Sequence, residues 1–211
     1  MKSAKEKYDE LVNYLKDKSI VVIGSGASIL KKEYGTFIDG HDVVVRINRG
    51  YPYKRYRKYV GTRTDIWAFG MGGREDLRSK MHQLFKDRKY SLYTWFESSW
   101  VPNYLRIADN HITLPPHFSM TAMKQCGGKP ATTGADTVHF LATGTEYKNI
   151  TILGIDCYQT GYWFIEEDDS ISIACTTQEE VKKQKRAHQV DDEELFLQNL
   201  VDNYRDIKWI K

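Results

Sequence analysis

Ser19-Ile20-Val21-Val22-Ile23-Gly24-Ser25-Gly26-Ala27-Ser28 is the stretch that decides the fold. Its first half is a short apolar run of β-branched residues, which is typical of a strand buried on both faces of a sheet. A glycine-rich turn between such a strand and a helix can bring backbone N–H groups to a phosphate or ribose at the helix N-terminus. The turn alone is a weak signal, because a tight strand-to-helix connection without a ligand explains it equally well.

The same strand-like character recurs in four more segments, at 42–47, 65–69, 90–95 and 150–154. Apolar residues at helical spacing, with a capping box from Ser3 to Glu6 at the first, predict helices over 3–17, 74–87, 134–143 and 191–203. Strands that alternate with helices predict an α/β fold with a mostly parallel central sheet flanked by helices. Ligands bind beyond the carboxyl ends of the strands in such a sheet, which directs attention to residues 24–28, 47–50, 69–73 and 155–162.

Length and composition indicate one soluble globular domain spanning 1–211, since 28% of the 211 residues are charged and 41% are hydrophobic. No run approaches the roughly 20 apolar residues of a membrane-spanning helix, and the N-terminus lacks a secretion signal, so we expect a cytoplasmic protein or one whose anchor has been removed. The three cysteines, Cys126, Cys157 and Cys175, form no CxxC pair. We therefore expect no disulfide framework and no metal site.

Two segments carry unusual charge. Seven lysines and arginines lie between residues 46 and 63, which favours an anionic partner. The guanidiniums of Arg46 and Arg49, with the Asn48 amide between them, could bind ribose hydroxyls or an anion. Tyrosines interleave with these bases as in a nucleic-acid groove, but no nucleic-acid-binding motif accompanies them, so a loop beside a site for an acidic sugar is the simpler interpretation. Residues 158–190 form the least regular segment and are either a solvated excursion or a substrate lid.

Further candidate residues follow the predicted strands or precede the predicted helices. Thr132, Thr133 and Gly134 open a helix, where a threonine cap is expected and free N–H and hydroxyl groups could also bind a nucleotide or carboxylate. Exposed tyrosines at a strand end, such as Tyr158 and Tyr162, either pack or donate to a leaving group as its charge develops. His188 has the side chain best matched in pKa to accept a hydroxyl proton at neutral pH.

A nicotinamide or flavin enzyme is disfavoured. The third glycine of the dinucleotide fingerprint is replaced by Ile29, and the second strand ends near Asn48 instead of an acidic residue.

Taken in order, these segments resemble the sialyltransferases of glycosyltransferase family 29. Residues 22–48, with Ile38-Asp39-Gly40-His41-Asp42 and Arg46-Ile47-Asn48, resemble the long sialyl motif. The stretch from Pro130 to Gly154 is similar to the short motif, and the spacing of His188 and Glu193 fits the very short one. Residues 154–159 are also similar to bacterial sialyltransferases of family 42.

The resemblance implies a Rossmann-like, GT-A-type single domain that binds CMP-sialic acid, or another CMP-activated keto sugar such as Kdo, and needs no metal or cofactor. It implies inverting transfer to a hydroxyl of a glycan or glycolipid. Tyr158 and Tyr162 would then donate to the donor phosphate, and His188 would be the general base. The residues that would hold the CMP-sugar are Gly24, Ser25, Gly26, Asn48, Thr132, Thr133, Gly134 and Asp156.

Two departures from the family pattern stand out. Ser25 occupies a position where asparagine is common, so a phosphate or ribose contact would be made differently. The cysteines that pair in the animal enzymes are missing, which agrees with a reducing compartment. The alternative of a different class is a non-catalytic protein that binds a nucleotide or nucleic acid through the basic tract; otherwise no nucleic-acid partner is expected.

Overall fold

A computed structural model describes residues 2–70, 75–94, 101, 103–164, 179 and 190–211. In this part of the chain seven strands form one sheet, in the order β5-β4-β3-β2-β1-β6-β7, and every neighbouring pair is parallel. The strands are β1 (Ser19–Ile23), β2 (Val43–Ile47), β3 (Ile66–Phe69), β4 (Tyr90–Tyr93), β5 (His111–Thr113), β6 (Asn149–Leu153) and β7 (Ile207–Ile210). The predicted α/β fold with a parallel central sheet is confirmed.

Helices cover both faces of this sheet. They are α1 (Ala4–Leu15), α2 (Gly35–Asp39), α3 (Arg57–Val60), α4 (Glu75–Leu84), α5 (Asn103–Arg106), α6 (Pro116–Gln125), α7 (Thr133–Gly144) and a last helix (Val190–Asn203), with 3-10 helices at Ala27–Lys31 and Lys54–Tyr56. The predicted capping box of α1 is present, since the Ser3 hydroxyl accepts from the Glu6 N–H and the Glu6 carboxylate accepts from the Ser3 N–H.

Successive residues of a strand point to opposite faces, so the all-apolar β1 contributes to two separate cores. Ile20 and Val22 pack among side chains of α1, α6, α7 and the last helix. Val21 and Ile23 pack on the other face, among side chains of α2, α3 and the two 3-10 helices. Burial on both faces is why this stretch reads as a continuous apolar run.

All five strands expected from the sequence are present, within one or two residues at the ends that the structure describes. The structure adds β5 and β7, which the sequence pattern did not indicate. The first has only three residues, and the second mixes Lys208 and Trp209 into an edge strand that is only partly buried. Such short or edge strands lack the apolar run that identifies a central one.

The order of the strands creates one switch point. The chain proceeds from β1 through β5 on one side and then crosses back to place β6 on the other side of β1. In open parallel sheets the crevice beyond the carboxyl ends of the strands at such a point is where ligands bind. The topology therefore directs the search for a site to the ends of β1 and β6.

Among the described residues no helix is long and apolar enough to cross a membrane. The cytoplasmic location and the single-domain organisation over 1–211 stay predictions.

Candidate functional site

A cleft of about 510 Å³, open to solvent, lies at the carboxyl ends of β1, β2 and β6. Its walls are Gly24, Ser25, Gly26, Ile47, Asn48, Thr132, Thr133, Gly134, Gly154, Ile155, Asp156, Cys157, Tyr158, Thr160, Tyr162 and Glu193. Both tyrosines and every CMP-sugar-binding residue that the resemblance implies are in this wall, whereas Arg46 and Arg49 are not, and His188 lies outside the described residues. The fold thus brings together candidates that are more than 130 positions apart in the chain.

The glycine turn after β1 is bonded to the segment that follows β6. The Gly24 N–H donates to Leu153 O at 2.8 Å, the Gly26 N–H to Gly154 O at 2.7 Å and the Ala27 N–H to Gly161 O at 2.7 Å. These N–H groups are therefore not available to a phosphate, and the expectation that the turn cradles one with them is wrong. Among the described residues the Ser25 N–H has no partner, so Ser25 can still donate into the cleft.

Close packing explains why glycines occupy this turn. A Cβ on Gly24 would overlap the Gly154 carbonyl, and a Cβ on Gly26 would overlap the Asp156 carboxylate. The turn also leads into a five-residue 3-10 helix instead of the predicted α-helix. Gly24 and Gly26 shape the wall of the cleft by letting two strand ends meet.

Asp156 and Thr160 fix the wall against which the glycine turn packs. The Thr160 hydroxyl donates to Asp156 Oδ2 and accepts from the Ser28 N–H at 3.1 Å. The carboxylate of Asp156 is buried, with its residue 7% exposed. We therefore assign Asp156 a role in fixing this wall, in addition to its place in the cleft lining.

Trp163 locks the same segment into the core. Its indole N–H donates to Gly24 O at 3.0 Å, its backbone N–H donates to Ser25 O at 3.1 Å, and its ring meets Tyr56 edge-on. Trp163 stands in Tyr162-Trp163-Phe164, which resembles a degenerate form of the small aromatic motif of family 29, and here it is a packing residue. Its effect is to keep the preceding loop against the turn after β1.

The two predicted tyrosines lie on this locked segment. Cys157 and Tyr158 both have positive φ, at 50° and 63°, a backbone conformation that costs energy for residues other than glycine. Tyr162 pairs with Gly26 through an antiparallel bridge, and its ring stacks on Phe164 with centroids 5.6 Å apart. Backbone conformation and stacking thus place both tyrosines on the cleft wall.

Asn48 occupies the end of β2 with φ of 49°. Its Oδ1 accepts from the Gly70 N–H at 3.1 Å, and its backbone oxygen accepts from the Trp67 indole at 2.7 Å. No described residue accepts from its Nδ2, which leaves two donors for a ligand in the cleft. The two oxygens of Asn48 therefore hold the fold, and its Nδ2 is available to a ligand.

The N-terminus of α7 also faces the cleft, and Glu193 holds it in place. Thr132 is the cap, since its Oγ1 accepts from the Ala135 N–H at 3.3 Å. The Glu193 carboxylate, on the last helix and only 2% exposed, accepts from both Thr132 N and Thr132 Oγ1. The N–H groups of Thr133 and Gly134 then have no partner within the described chain, as is normal for a first helical turn. Such a helix start attracts an anion.

Buried acids and thiols surround this helix start. Burial, together with the nearby Glu193 carboxylate, raises the pKa of the Asp136 carboxyl well above its usual range. Burial likewise raises the pKa of the Cys126 thiol to about 12 and raises that of the Cys157 thiol. Both cysteines are free, as expected, and both remain protonated at neutral pH. Neither is therefore an effective nucleophile.

Arg46 does not reach the cleft. It is fully buried, and its guanidinium donates to the carbonyls of Val60 and Arg63 and to the Thr64 hydroxyl. Burial lowers the pKa of Arg46 to about 9. The expectation that Arg46 binds a ribose or an anion is wrong, because in β2 it points to the face opposite Ile47.

The described histidines and acids do not form a metal centre, since no group of three or more His, Cys, Asp or Glu is placed to hold an ion in the part of the chain that the structure covers. His41 is structural, with Nδ1 2.9 Å from the Phe37 carbonyl. Most of the irregular segment 158–190, which the sequence leaves as a solvated excursion or a substrate lid, lies outside the described residues. Its described part, residues 158–164, is packed into the wall.

Glu193 is the residue that sequence reasoning undervalued. In the sequence it enters only through its spacing from His188, and nothing there predicts its contact with Thr132. The spacing of five residues from His188 was the signal that could have identified it.

The comparisons with known proteins support the resemblance. The model of glycosyltransferase family 29 (sialyltransferase) matches residues 4–105. Sialyltransferase-like protein 5 of Oryza sativa subsp. japonica is 46% identical over 45 residues, and β-1,6-galactosyltransferase GALT29A of Arabidopsis thaliana is 38% identical over 48. These stretches are 21% and 23% of this chain, and only 9% and 12% of those relatives.

Solved structures extend the likeness to the whole fold. A mammalian sialyltransferase covers 99% of this chain with a TM-score of 0.62 at 12% identity, and a mammalian sialyltransferase in complex with Gal-β-1,3-GalNAc-ortho-nitrophenol does so with 0.58 at 14%. In each case 79% of the solved chain is matched. The sialyltransferase-like resemblance and the GT-A-like α/β fold are thereby confirmed, and the comparisons support the prediction of a glycosyltransferase.

Proposed function

We propose that this chain, whose N-terminal part matches the family 29 model, transfers sialic acid from CMP-sialic acid to a glycan hydroxyl, with inversion and without a metal or cofactor. One observation carries the proposal. At the switch point of the sheet, a single cleft gathers the start of α7, the Nδ2 of Asn48, and Tyr158 with Tyr162. These groups are donors, as a phosphate-bearing substrate requires.

The donor phosphate fits best at the start of α7. The Thr133 and Gly134 N–H groups point outward from a 12-residue helix whose dipole favours negative charge at that end. Glu193 satisfies the Thr132 donors and leaves the next two for the ligand. Asn48 lines the same cleft, where its amide suits ribose or base hydroxyl and carbonyl groups.

The chemistry that follows is a single displacement. The acceptor oxygen forms a bond to the anomeric carbon of the sugar while the bond from that carbon to the phosphate oxygen breaks. The acceptor proton passes to His188, and the electron pair leaves with CMP. The departing phosphate gains charge in the transition state, where the α7 N–H groups and the tyrosine hydroxyls would stabilise it.

A second class of sugar donor is supported by one of the comparisons. One relative is named a β-1,6-galactosyltransferase, so the matched region is compatible with a sugar other than sialic acid in that protein. A galactosyl donor is therefore the second candidate here, and a different CMP-activated keto sugar is a third that shares the proposed nucleotide site.

A thermal-shift panel tests these candidates directly. The ligands are CMP, CMP-sialic acid, CMP-Kdo, UDP, UDP-galactose and NAD, with a short oligonucleotide for the non-catalytic alternative. A rise in Tm with CMP and CMP-sialic acid that survives EDTA supports the proposal. A rise with the uridine pair alone selects the galactosyl donor, and a response to NAD or the oligonucleotide alone overturns the assignment to a CMP-sugar.

A further inference from the structure

A second surface lies beside the cleft, on the short helices that cover one face of the sheet. These are the 3-10 helices Ala27–Lys31 and Lys54–Tyr56 together with α2 and α3. Ile29, Ile38, Tyr56 and Val60 point inward and pack on β1 and β2. Gly35 lies so close to the carbonyls of Arg57 and Lys58 that a Cβ would overlap them, so α2 and α3 form one continuous layer.

The outer side of this layer is strongly basic. Its exposed cations are Lys31, Lys32, Lys54, Arg55, Arg57 and Lys58. The acids of the layer are Glu33 and Asp39. Glu33 pairs with Lys58 at 2.9 Å. The Asp39 carboxylate accepts from the N–H groups of Thr62 and Arg63, so it is occupied by contacts within the fold. The layer therefore concentrates positive charge on a chain whose net charge is only +3.

Aromatic rings lie among these cations. Phe37 is 47% exposed, and its ring centroid is 6.4 Å from that of Tyr34. The Lys32 ammonium lies 5.7 Å from the Tyr34 ring, and the Lys58 ammonium lies 4.7 Å from the Tyr59 ring. An exposed apolar ring on a face that also carries several lysines is typical of surfaces that lie in the headgroup region of a bilayer.

We propose that this basic layer docks on the surface of an anionic phospholipid bilayer, with Phe37 inserted at the headgroup boundary. Lysines and arginines near such a surface are attracted by its negative potential. A dissolved polyanion without aromatic groups would use the same charges but would leave Phe37 in water, whereas the bases of a single-stranded nucleic acid could stack on it. The exposed ring therefore favours a bilayer over a polyanion without aromatic groups.

Docking in this way would bring the cleft near the membrane. Gly26 lines the cleft and also caps the first 3-10 helix, which ends at Lys31. Five residues of 3-10 helix span about 10 Å, so the basic layer begins one short helix from the cleft wall. If the proposed transfer activity holds, the acceptor would be a glycan attached to a membrane lipid.

Vesicle binding tests the docking without relying on activity. The full chain is sedimented with vesicles of phosphatidylcholine alone or with 30% phosphatidylglycerol, at low and physiological salt. We expect binding to the anionic vesicles only, weakened by salt because surface charges are screened. The variant Lys32→Glu/Lys54→Glu should reduce this binding at least tenfold, and Phe37→Ser should reduce it several-fold.

The matched control is Lys124→Glu/Lys208→Glu, which makes the same charge change at exposed positions outside the layer. It should bind like the unaltered chain, and thermal unfolding should show that all variants are folded.

Equal loss of vesicle binding in both double variants, or no binding to either kind of vesicle, overturns the proposal. Binding to a single-stranded oligonucleotide that matches or exceeds vesicle binding overturns it in favour of a nucleic acid, whether or not that binding depends on Phe37. Loss of activity with docking intact would instead count against the transfer function alone.

Discussion

The carboxylate of Glu193 accepts hydrogen bonds from both donors of Thr132, 2.8 Å from the backbone N and 2.7 Å from Oγ1. This contact joins the last helix to the start of α7 across 61 positions of the chain. It orients the helix start that we assign to the donor phosphate. The contact therefore links the stability of the fold to the geometry of the cleft.

Removing this carboxylate should destabilise the protein and weaken nucleotide binding. In Glu193→Ala the half-buried Thr132 N–H loses its partner, and we expect a loss of about 1–3 kcal/mol in the free energy of unfolding. Urea denaturation measures this loss, and titration with CMP measures the affinity. The control Glu194→Gln removes a surface ion pair with Lys211 but keeps an oxygen that can accept from Gln159 Nε2, so it should change stability by less than about 1 kcal/mol. Equal effects of both variants would contradict the role of Glu193.

Asn48→Asp tests the role of Nδ2 separately from that of Oδ1. The aspartate can still accept from the Gly70 N–H and tolerates positive φ, so the fold should persist. It loses the Nδ2 donors and adds a negative charge to the cleft. We expect nucleotide binding to weaken about tenfold or more, equivalent to ~1.4 kcal/mol, while stability changes by less than about 1 kcal/mol. Calorimetric titration and urea denaturation measure the two quantities, and unchanged affinity would remove Asn48 from the site.

Glycine positions in the cleft wall should differ sharply in tolerance. An alanine at Gly26 would overlap the Asp156 carboxylate, whereas an alanine at Gly161 would meet nothing within 4 Å. Gly26→Ala should lower the free energy of unfolding by about 1–3 kcal/mol, because the turn after β1 and the segment after β6 must move apart. Gly161→Ala should stay within about 0.5 kcal/mol of the unaltered protein. Thermal and urea unfolding of the pair test the close approach, which similar values would disprove.

His188→Ala tests the proposed base. Loss of a general base typically lowers the rate by about 10²–10⁴-fold. We expect transfer to fall by that factor while CMP still raises Tm, since the donor groups of the cleft are unchanged. The buried His139→Gln serves as a comparison outside the proposed chemistry, and a fully active His188→Ala would exclude the assignment.

Stability should fall in mild acid because of His111. Burial, with Lys7 and Arg88 nearby, lowers the pKa of His111 to about 3 from the usual 6.5. Between these values the unfolded chain binds a proton that the folded chain does not, so stability is present above pH 6.5 and is lost as pH falls toward 3. Urea denaturation from pH 8 to pH 4 should show a slope that is reduced in His111→Phe. An unchanged slope in His111→Phe would refute this origin.

Much of the fold was predictable because it depends on local patterns. Apolar, largely β-branched runs such as that of β1 must be buried on both faces of a sheet, and similar runs form β2, β3, β4 and β6. Because segments with helical spacing lie between several of these runs, the sequence predicts a parallel sheet covered by helices. β5 and β7 were missed because a three-residue strand and an edge strand carry no such run.

The sequence by itself determined the parallel sheet, the helix starts and the set of residues at its carboxyl edge, since hydrophobic periodicity and capping are local properties. Only the tertiary structure decided which groups remain available there. The N–H groups of Gly24 and Gly26 are taken by residues near position 154, Arg46 turns to the opposite face, and Glu193 holds Thr132. Each of these facts depends on a partner distant in the chain, and no local pattern specifies which strand end will meet which helix.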